Sequence, residues 1–393
     1  ANTDSVLQNL QEEIAPKLAA HNDAIYLNAK LFERVKSIYD KRKELKLDNE
    51  SEKLITYYYD HFVHAGAKLS ADDKSKLKKL NEEEASLIAK FINMLLAATK
   101  NGALIVNDKS ELAGLTEAEL EAASQSATER DLTGKWVITL QNTTQQPFLT
   151  SLENRQTRKK LFENSWNRTE KNDENDTRSV IKRIAEIRVE KATLLGFSNY
   201  AGWVLEDQMA KTPEAVEKFL SGLVPATVSS EQKEAADIQA FMKQSGENFK
   251  LEAWDWNYYA DKLRKEKFNL DDSQIKPYFV LENVLQKGIF FAAHELYGIT
   301  FKELHDIPVY QEDVRVFEVF DKDGSPLALY YGDFFKRDNK GGGAWMDNFV
   351  LQSKLLDTKP VVYNVTNFIK PAPGQPALLS YDDVTTMFHE FGH

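Results

Sequence analysis

The last five residues of this chain, His389-Glu390-Phe391-Gly392-His393, say more about its fold than any other stretch. On an α-helix, histidines at i and i+4 lie on one face about a turn apart, so both imidazoles can grip one metal ion. On a strand the same two side chains would stand roughly 13 Å apart. The glutamate beside the first histidine can then reach a water on that metal and take its proton. With seven His in 393 residues, a chance match to the pattern is on the order of one in a hundred.

The flanking residues predict a helix. Ser380 reads as an N-cap with Asp383 three residues later, a capping box in which Asp is a weaker partner than Glu or Gln. Asp382 and Asp383 also suit the positive end of the helix dipole. Val384, Met387, Phe388 and Phe391 follow at i, i+3, i+4 and i+7, one apolar stripe. His389 and His393 are expected beside that stripe, at the border of the core. A tetrahedral zinc site needs a third protein ligand, which the pattern would normally supply after His393. The bland alternative is a helix whose two histidines are merely hydrogen-bonded.

Apolar residues make up 42% of the chain and charged residues 28%, the balance of a globular protein with ample material for a large core. No apolar run approaches the ~20 residues of a membrane span, and Ala1-Asn2-Thr3-Asp4 does not open a signal peptide. A net charge of −11 argues against nucleic-acid binding. Cysteine is absent, which excludes disulfides, thiol nucleophiles and Cys-ligated zinc. That absence suits a reducing compartment; the expectation is cytoplasmic, with the periplasm as second reading.

Heptad-like spacing predicts helices over 3–20, 25–45, 50–66, 71–100, 116–128, 153–167, 173–195, 212–245 and 280–297. Ser70-Ala71-Asp72-Asp73 and Thr212-Pro213-Glu214 are helix starts, the second with Pro at N1. Lys135 to Thr139 reads as a short strand, followed by a polar loop from Gln141 to Gln146. Near residue 300 the texture changes. Val314 to Phe320 alternates like a strand, Asp321 to Ser325 is a turn, and Leu327 to Tyr331 returns. Ala344 to Val350 and Pro360 to Phe368 are the next strands. The division expected is therefore a helical region over 1–300 and a small sheet plus the motif helix over 301–393. A sheet edge beside such a helix can pair with an extended peptide backbone.

Other features invite chemistry less. His61 and His64 lie three apart on a predicted helix, without a carboxylate set, and read as a surface pair. His294-Glu295 is half of the motif, but Gly298 stands where a second histidine would be. Trp254 to Tyr259 is aromatic-rich and reads as packing. Gly341-Gly342-Gly343 lacks the context of a phosphate loop and reads as a flexible loop near substrate.

The chain resembles the thimet-oligopeptidase-like zinc metallopeptidases, and within them the bacterial dipeptidyl carboxypeptidase (peptidyl-dipeptidase) branch. The resemblance runs almost end to end. It is carried by Asn142 to Pro147, Glu170 to Arg178, Asp207 to Glu214 and Lys276-Pro277-Tyr278-Phe279. It is most specific at Gly332-Asp333-Phe334-Phe335 with Arg337, Lys340, Gly343, Ala344 and Trp345, and from Gln375 to His393.

The resemblance implies a mainly α, two-lobed, neurolysin-like peptidase whose helical region walls a deep channel. It implies one zinc ion per complete active site, ligated by His389 and His393, with Glu390 as general base. It implies that the strand around Gly343, Ala344 and Trp345 binds the substrate backbone. A third ligand, a glutamate, and a Tyr and a His that stabilise the tetrahedral intermediate would follow residue 393. The chain is thus expected to be an interior portion of a longer enzyme, inactive by itself. The function expected is removal of C-terminal dipeptides from short peptides by a monomer that binds neither nucleic acid nor membrane. The alternatives are an oligopeptidase cutting internally and a non-catalytic helical binding protein that kept the motif.

Overall fold

A computed structural model describes residues 2–140, 146–269 and 272–393. The fold is predominantly helical. Local side chains start most helices: Asp4, Asn28, Asp48, Thr116, Asn154 and Asn199 each accept a backbone N–H of the first turn. The helices Ser5–Tyr26, Ala29–Lys41, Asn49–His64, Ala71–Asn101, Glu117–Thr128 and Arg155–Trp166 follow the spacing of the sequence closely. Pro213–Gln244 begins on its proline. The helix expected from 173 starts instead at Arg178, because Asp173 and Asp176 bind backbone N–H groups in a turn. Among the described residues, no helix is long and apolar enough to cross a membrane.

The chain forms two compact units. One comprises Asp4–Leu95 and Thr169–Gln232. It is all helix, with Phe32, Phe62 and Ala67 in one of its cores. His64 Nδ1 lies 3.0 Å from Glu206 and the His64 ring stacks on Trp203, while His61 packs edge-on against Tyr26. Of the expected surface pair, His61 is exposed, while His64 is half-buried between Glu206 and Trp203.

The other unit comprises Ala1–Thr3, Leu96–Arg168 and Lys233–His393. It holds a two-stranded sheet of β1 (Leu104–Val106) and β2 (Trp136–Ile138). Of the polar loop expected from Gln141 to Gln146, residues 141–145 lie outside the described residues, and Gln146 is buried and donates to Ser165 Oγ at 2.8 Å. The aromatic segment is packing: Tyr258 and Tyr259, on helix Trp256–Phe268, are buried with Ile238 and Met242. Arg155 and Arg158 both donate to the fully buried carboxylate of Asp255.

The same unit holds a five-stranded sheet of β3 (Thr300–Leu304), β4 (Arg315–Phe320), β5 (Pro326–Phe335), β6 (Trp345–Val350) and β7 (Val361–Phe368). Their order is β3-β4-β5-β7-β6. Only the β5·β7 pair is parallel, and β6 folds back antiparallel on the outer side of β7. This makes β6 an edge strand. β3 escapes the sequence reading because Thr300 to Leu304 shows no clean alternation.

Candidate metal centre

The helix Tyr381–Gly392 forms with the capping box the sequence announces. Ser380 Oγ accepts from the N–H of Asp383, and Asp383 Oδ2 accepts from the N–H of Ser380 at 2.9 Å. Burial pushes the Asp383 carboxyl above its ordinary range, against the pull of those hydrogen bonds.

Three contacts seat this helix. Val384, Met387 and Phe391 enter a core with Leu285, Ile289, Phe290, Phe317 and Tyr330. The Phe391 ring meets Phe290, Phe301 and Tyr330 at centroid distances of 6.2, 5.9 and 5.5 Å. The sequence places Phe388 in the same stripe, but it is 42% exposed. It lies over Gly288, where an added Cβ would stand 3.2 Å from its ring. Gly288 belongs to Val284–Phe290, a π-helical stretch inside helix 281–297; a β-carbon there would require the Phe388 ring to give by a few tenths of an ångström. Third, Asn364 on β7 donates from Nδ2 to the carbonyl of Glu390 at 2.8 Å. Asn364 is 5% exposed and stands opposite Gly332 of β5 and Met346 of β6.

His389 and His393 differ from expectation in one respect. They are exposed on the outer side of the helix, not lodged at the border of the core. The reason is angular: each lies a step of about 100° beyond Phe388 or Gly392, turned from the Val384–Met387–Phe391 line. Their Nε2 atoms are 3.0 Å apart, and the rings meet at 89°. Two nitrogens each ~2.05 Å from a tetrahedral ion would lie about 3.3 Å apart. As they stand the two rings are within hydrogen-bond distance of each other, and a shift of a few tenths of an ångström would bring the nitrogens to the spacing of two ligands on one zinc ion. Glu390, between them in sequence, is half-buried and makes no ion pair among the described residues. Among the described residues no further His, Cys, Asp or Glu completes a three-member metal-ligating group. The His294-Glu295 half-motif sits in the last turns of a helix that ends at Gly298 in the left-handed conformation, a helix stop.

The motif helix packs over β6 and β7. The residues suggested for substrate gather at the start of β6. Gly343 has φ +87°, a conformation that favours glycine. Ala344 follows it and Trp345 is the first residue of the strand. Asp347 stands directly opposite Tyr363 of β7 in the ladder, and Trp345 opposite Val365. In an antiparallel pair, alternate residues of an edge strand turn their N–H and C=O groups outward. The edge of β6 thus offers backbone groups beside the motif helix.

The sequence reading missed Asn364 and Asn367. Asn364 follows Val362 and precedes Phe368 on the face of β7 that meets the motif helix, and a polar residue in that register was the available signal. Asn367, on the opposite face, donates to the carbonyls of Gly341 at 2.8 Å and Gly343 at 2.7 Å. The glycine loop is therefore held in place, not the free loop its composition suggests.

A sequence profile described as peptidase family M3 matches residues 148–393. The dipeptidyl carboxypeptidase of Escherichia coli (strain K12) is 53% identical over 393 residues, covering 100% of this chain and 58% of the relative. That of Salmonella typhimurium is 51% identical over the same share of each. Oligopeptidase A of Escherichia coli is 32% identical over 394 residues, covering 98% of this chain and 58% of the relative. The chain thus spans 58% of the length of these curated relatives.

Proposed function

The chain belongs to peptidase family M3, and from that premise we propose that it is part of a zinc peptidase that removes dipeptides from the C-termini of short peptides. The observation that carries this reading is the pair of imidazole nitrogens 3.0 Å apart on a helix seated over an edge strand. His389 and His393 hold the metal through neutral nitrogens. Zinc, when bound there, polarises the scissile carbonyl and makes water acidic enough to react near neutral pH. Glu390 takes the proton of the attacking water and returns it to the leaving amine. The hydrogen bond from Asn364 to the Glu390 carbonyl holds that residue at a fixed height above the sheet.

Substrate joins the sheet at β6. Met346 lies beside Asn364 in the ladder, so an added peptide strand would run about 4.8 Å further out. Gly343, Ala344 and Trp345 offer it their backbone. Backbone pairing reads extension and not side chains, which suits a peptidase of short, unfolded peptides. The two-lobed, neurolysin-like channel that the family resemblance implies would exclude folded chains, and one zinc ion serves each complete site. The protein is read as a cytoplasmic monomer.

The dipeptidyl carboxypeptidase assignment follows the two relatives above 50% identity; the oligopeptidase reading follows the more distant one. A peptide with a free C-terminus and its C-terminal amide separate them. The full-length protein should release dipeptides from the first and spare the second. Equal rates on both would favour internal cleavage.

A further inference from the structure

β5 breaks its register with β7 between Asp333 and Phe335. Such a break leaves carbonyls without ladder partners. Lys340 fills that gap from seven residues downstream. Its ammonium, with no exposed surface, donates to Asp333 O at 3.0 Å, Asp333 Oδ1 at 2.8 Å and Phe335 O at 2.9 Å. All three of its protons are used. Arg337 grips the same carboxylate with both terminal nitrogens, at 2.8 and 2.7 Å, and Tyr310 donates to Asp333 Oδ2 at 2.8 Å. Lys336 in turn donates to the carbonyl of Lys340 at 2.9 Å. Burial works against the charge of Asp333, yet hydrogen bonds from Arg337 and Lys340 hold its carboxyl below the usual range.

These groups lie on the face of the sheet opposite the motif helix, since Asp333 alternates with Gly332, the neighbour of Asn364. They share no hydrogen bond with His389, Glu390 or His393 among the described residues. A buried ion pair is a poor route to stability, and its best-attested use is to fix one arrangement among several. What this one fixes is the loop from Lys336 to Gly343, which runs directly into β6. Asn367 clamps the far end of the same loop through the carbonyls of Gly341 and Gly343.

We propose that Asp333, Lys340, Arg337 and Asn367 are positioning residues that hold the Gly341–Gly343 loop so that β6 presents its backbone edge to a peptide. This rests on the peptidase reading above. It assigns a role to a charged stretch that composition alone marks as a solvated loop. Its consequence is a division of labour: the motif-helix face governs turnover, and the opposite face governs peptide affinity.

The test uses the full-length, zinc-loaded protein, its Lys340→Met variant and the double variant Asp333→Asn/Lys340→Met. The double variant also removes the carboxylate that Arg337 grips and leaves the carbonyls of Asp333 and Phe335 without their donor, so it should be no more stable than Lys340→Met. Lys340→Met should raise KM about tenfold with kcat within about threefold, the pattern of lost uniform binding. The double variant should keep the raised KM. Hydrogen exchange at residues 341–346 should quicken at least about tenfold in both variants, with residues 381–393 unchanged. If Lys340→Met does not fold, Asn367→Ala serves, with KM up about threefold and the same exchange pattern. A KM within twofold of the unmodified protein in either folded variant overturns the proposal. If the unmodified protein cleaves no peptide, the peptidase reading falls, and the exchange result alone judges the network: unchanged exchange at 341–346 would sink it.

Discussion

Replacing Asn364 by Leu removes the hydrogen bond that ties the motif helix to the central sheet. The Asn364 Nδ2 donor lies 2.8 Å from the Glu390 carbonyl, and Asn364 is 5% exposed. Leucine keeps the branched shape but its methyl groups are bulkier than the amide, so no cavity results and any overpacking adds to the loss. A neutral hydrogen bond is worth about 1 kcal/mol net, and a carbonyl left dry costs up to ~3 kcal/mol. Glu390 is half-buried, so water can reach its carbonyl, and a loss of about 1–2 kcal/mol follows. In a unit of this size that lowers Tm by roughly 2–8 °C. The catalytic effect should be larger than the stability effect suggests, because a small displacement of a base costs up to about a hundredfold in rate. We expect kcat to fall about tenfold, KM to hold, and zinc affinity to weaken by less than tenfold, since both imidazoles keep their shared helix face. The assay is steady-state hydrolysis of a quenched peptide beside chelator competition for zinc. An unchanged kcat in a variant that has lost the expected stability would reduce Asn364 to a fold anchor and refute the reasoning.

Three further outcomes follow from the same structure. Glu390→Gln should cut kcat at least about a thousandfold while zinc stays bound, as metal analysis beside kinetics would show; near-normal turnover would remove Glu390 from its role as base. Ala344→Pro should raise KM without loss of zinc, because proline takes an N–H from the strand start; unchanged kinetics in a folded variant would dismiss the edge-strand pairing. Asp333 has a folded pKa below its unfolded value of about 3.9, so its stabilising contribution is complete above that pH and disappears as pH falls through the lower, folded pKa. Asp333→Asn should therefore flatten the acid limb of a stability–pH curve below about pH 4, and an unaltered limb would contradict the charge assignment.

The elements legible in the sequence are those whose cause is local. The motif helix could be read from Ser380, Asp383 and the Val384–Met387–Phe391 line because its cap and stripe lie within twelve residues. Strands β4 and β5 were legible from alternation and from the turn Asp321 to Ser325 between them. What stayed hidden depends on partners distant in the chain. β3 is a strand only because β4 accepts it, with Thr300 opposite Phe320. The exposure of His389 and His393 depends on which face Phe290, Phe301 and Tyr330 claim. Asp333 and Lys340 belong to a run of charges that periodicity assigns to solvent, yet both are fully buried. They are buried because each satisfies the other and the carbonyls of a register break, a relation no spacing rule contains. The family resemblance reached further than the physics of single residues. It singled out Gly332 to Trp345 before any reason for Asp333 or Lys340 was visible.

The claim on which everything else depends is that His389 and His393 together hold a catalytic zinc ion. The most direct measurement is the zinc content and dissociation constant of the full-length protein, beside those of His389→Ala and His393→Ala. The unmodified protein should bind one zinc ion, and each variant should bind at least about a hundredfold more weakly and lose peptide cleavage. One equivalent of zinc retained at undiminished affinity in either variant would contradict the account.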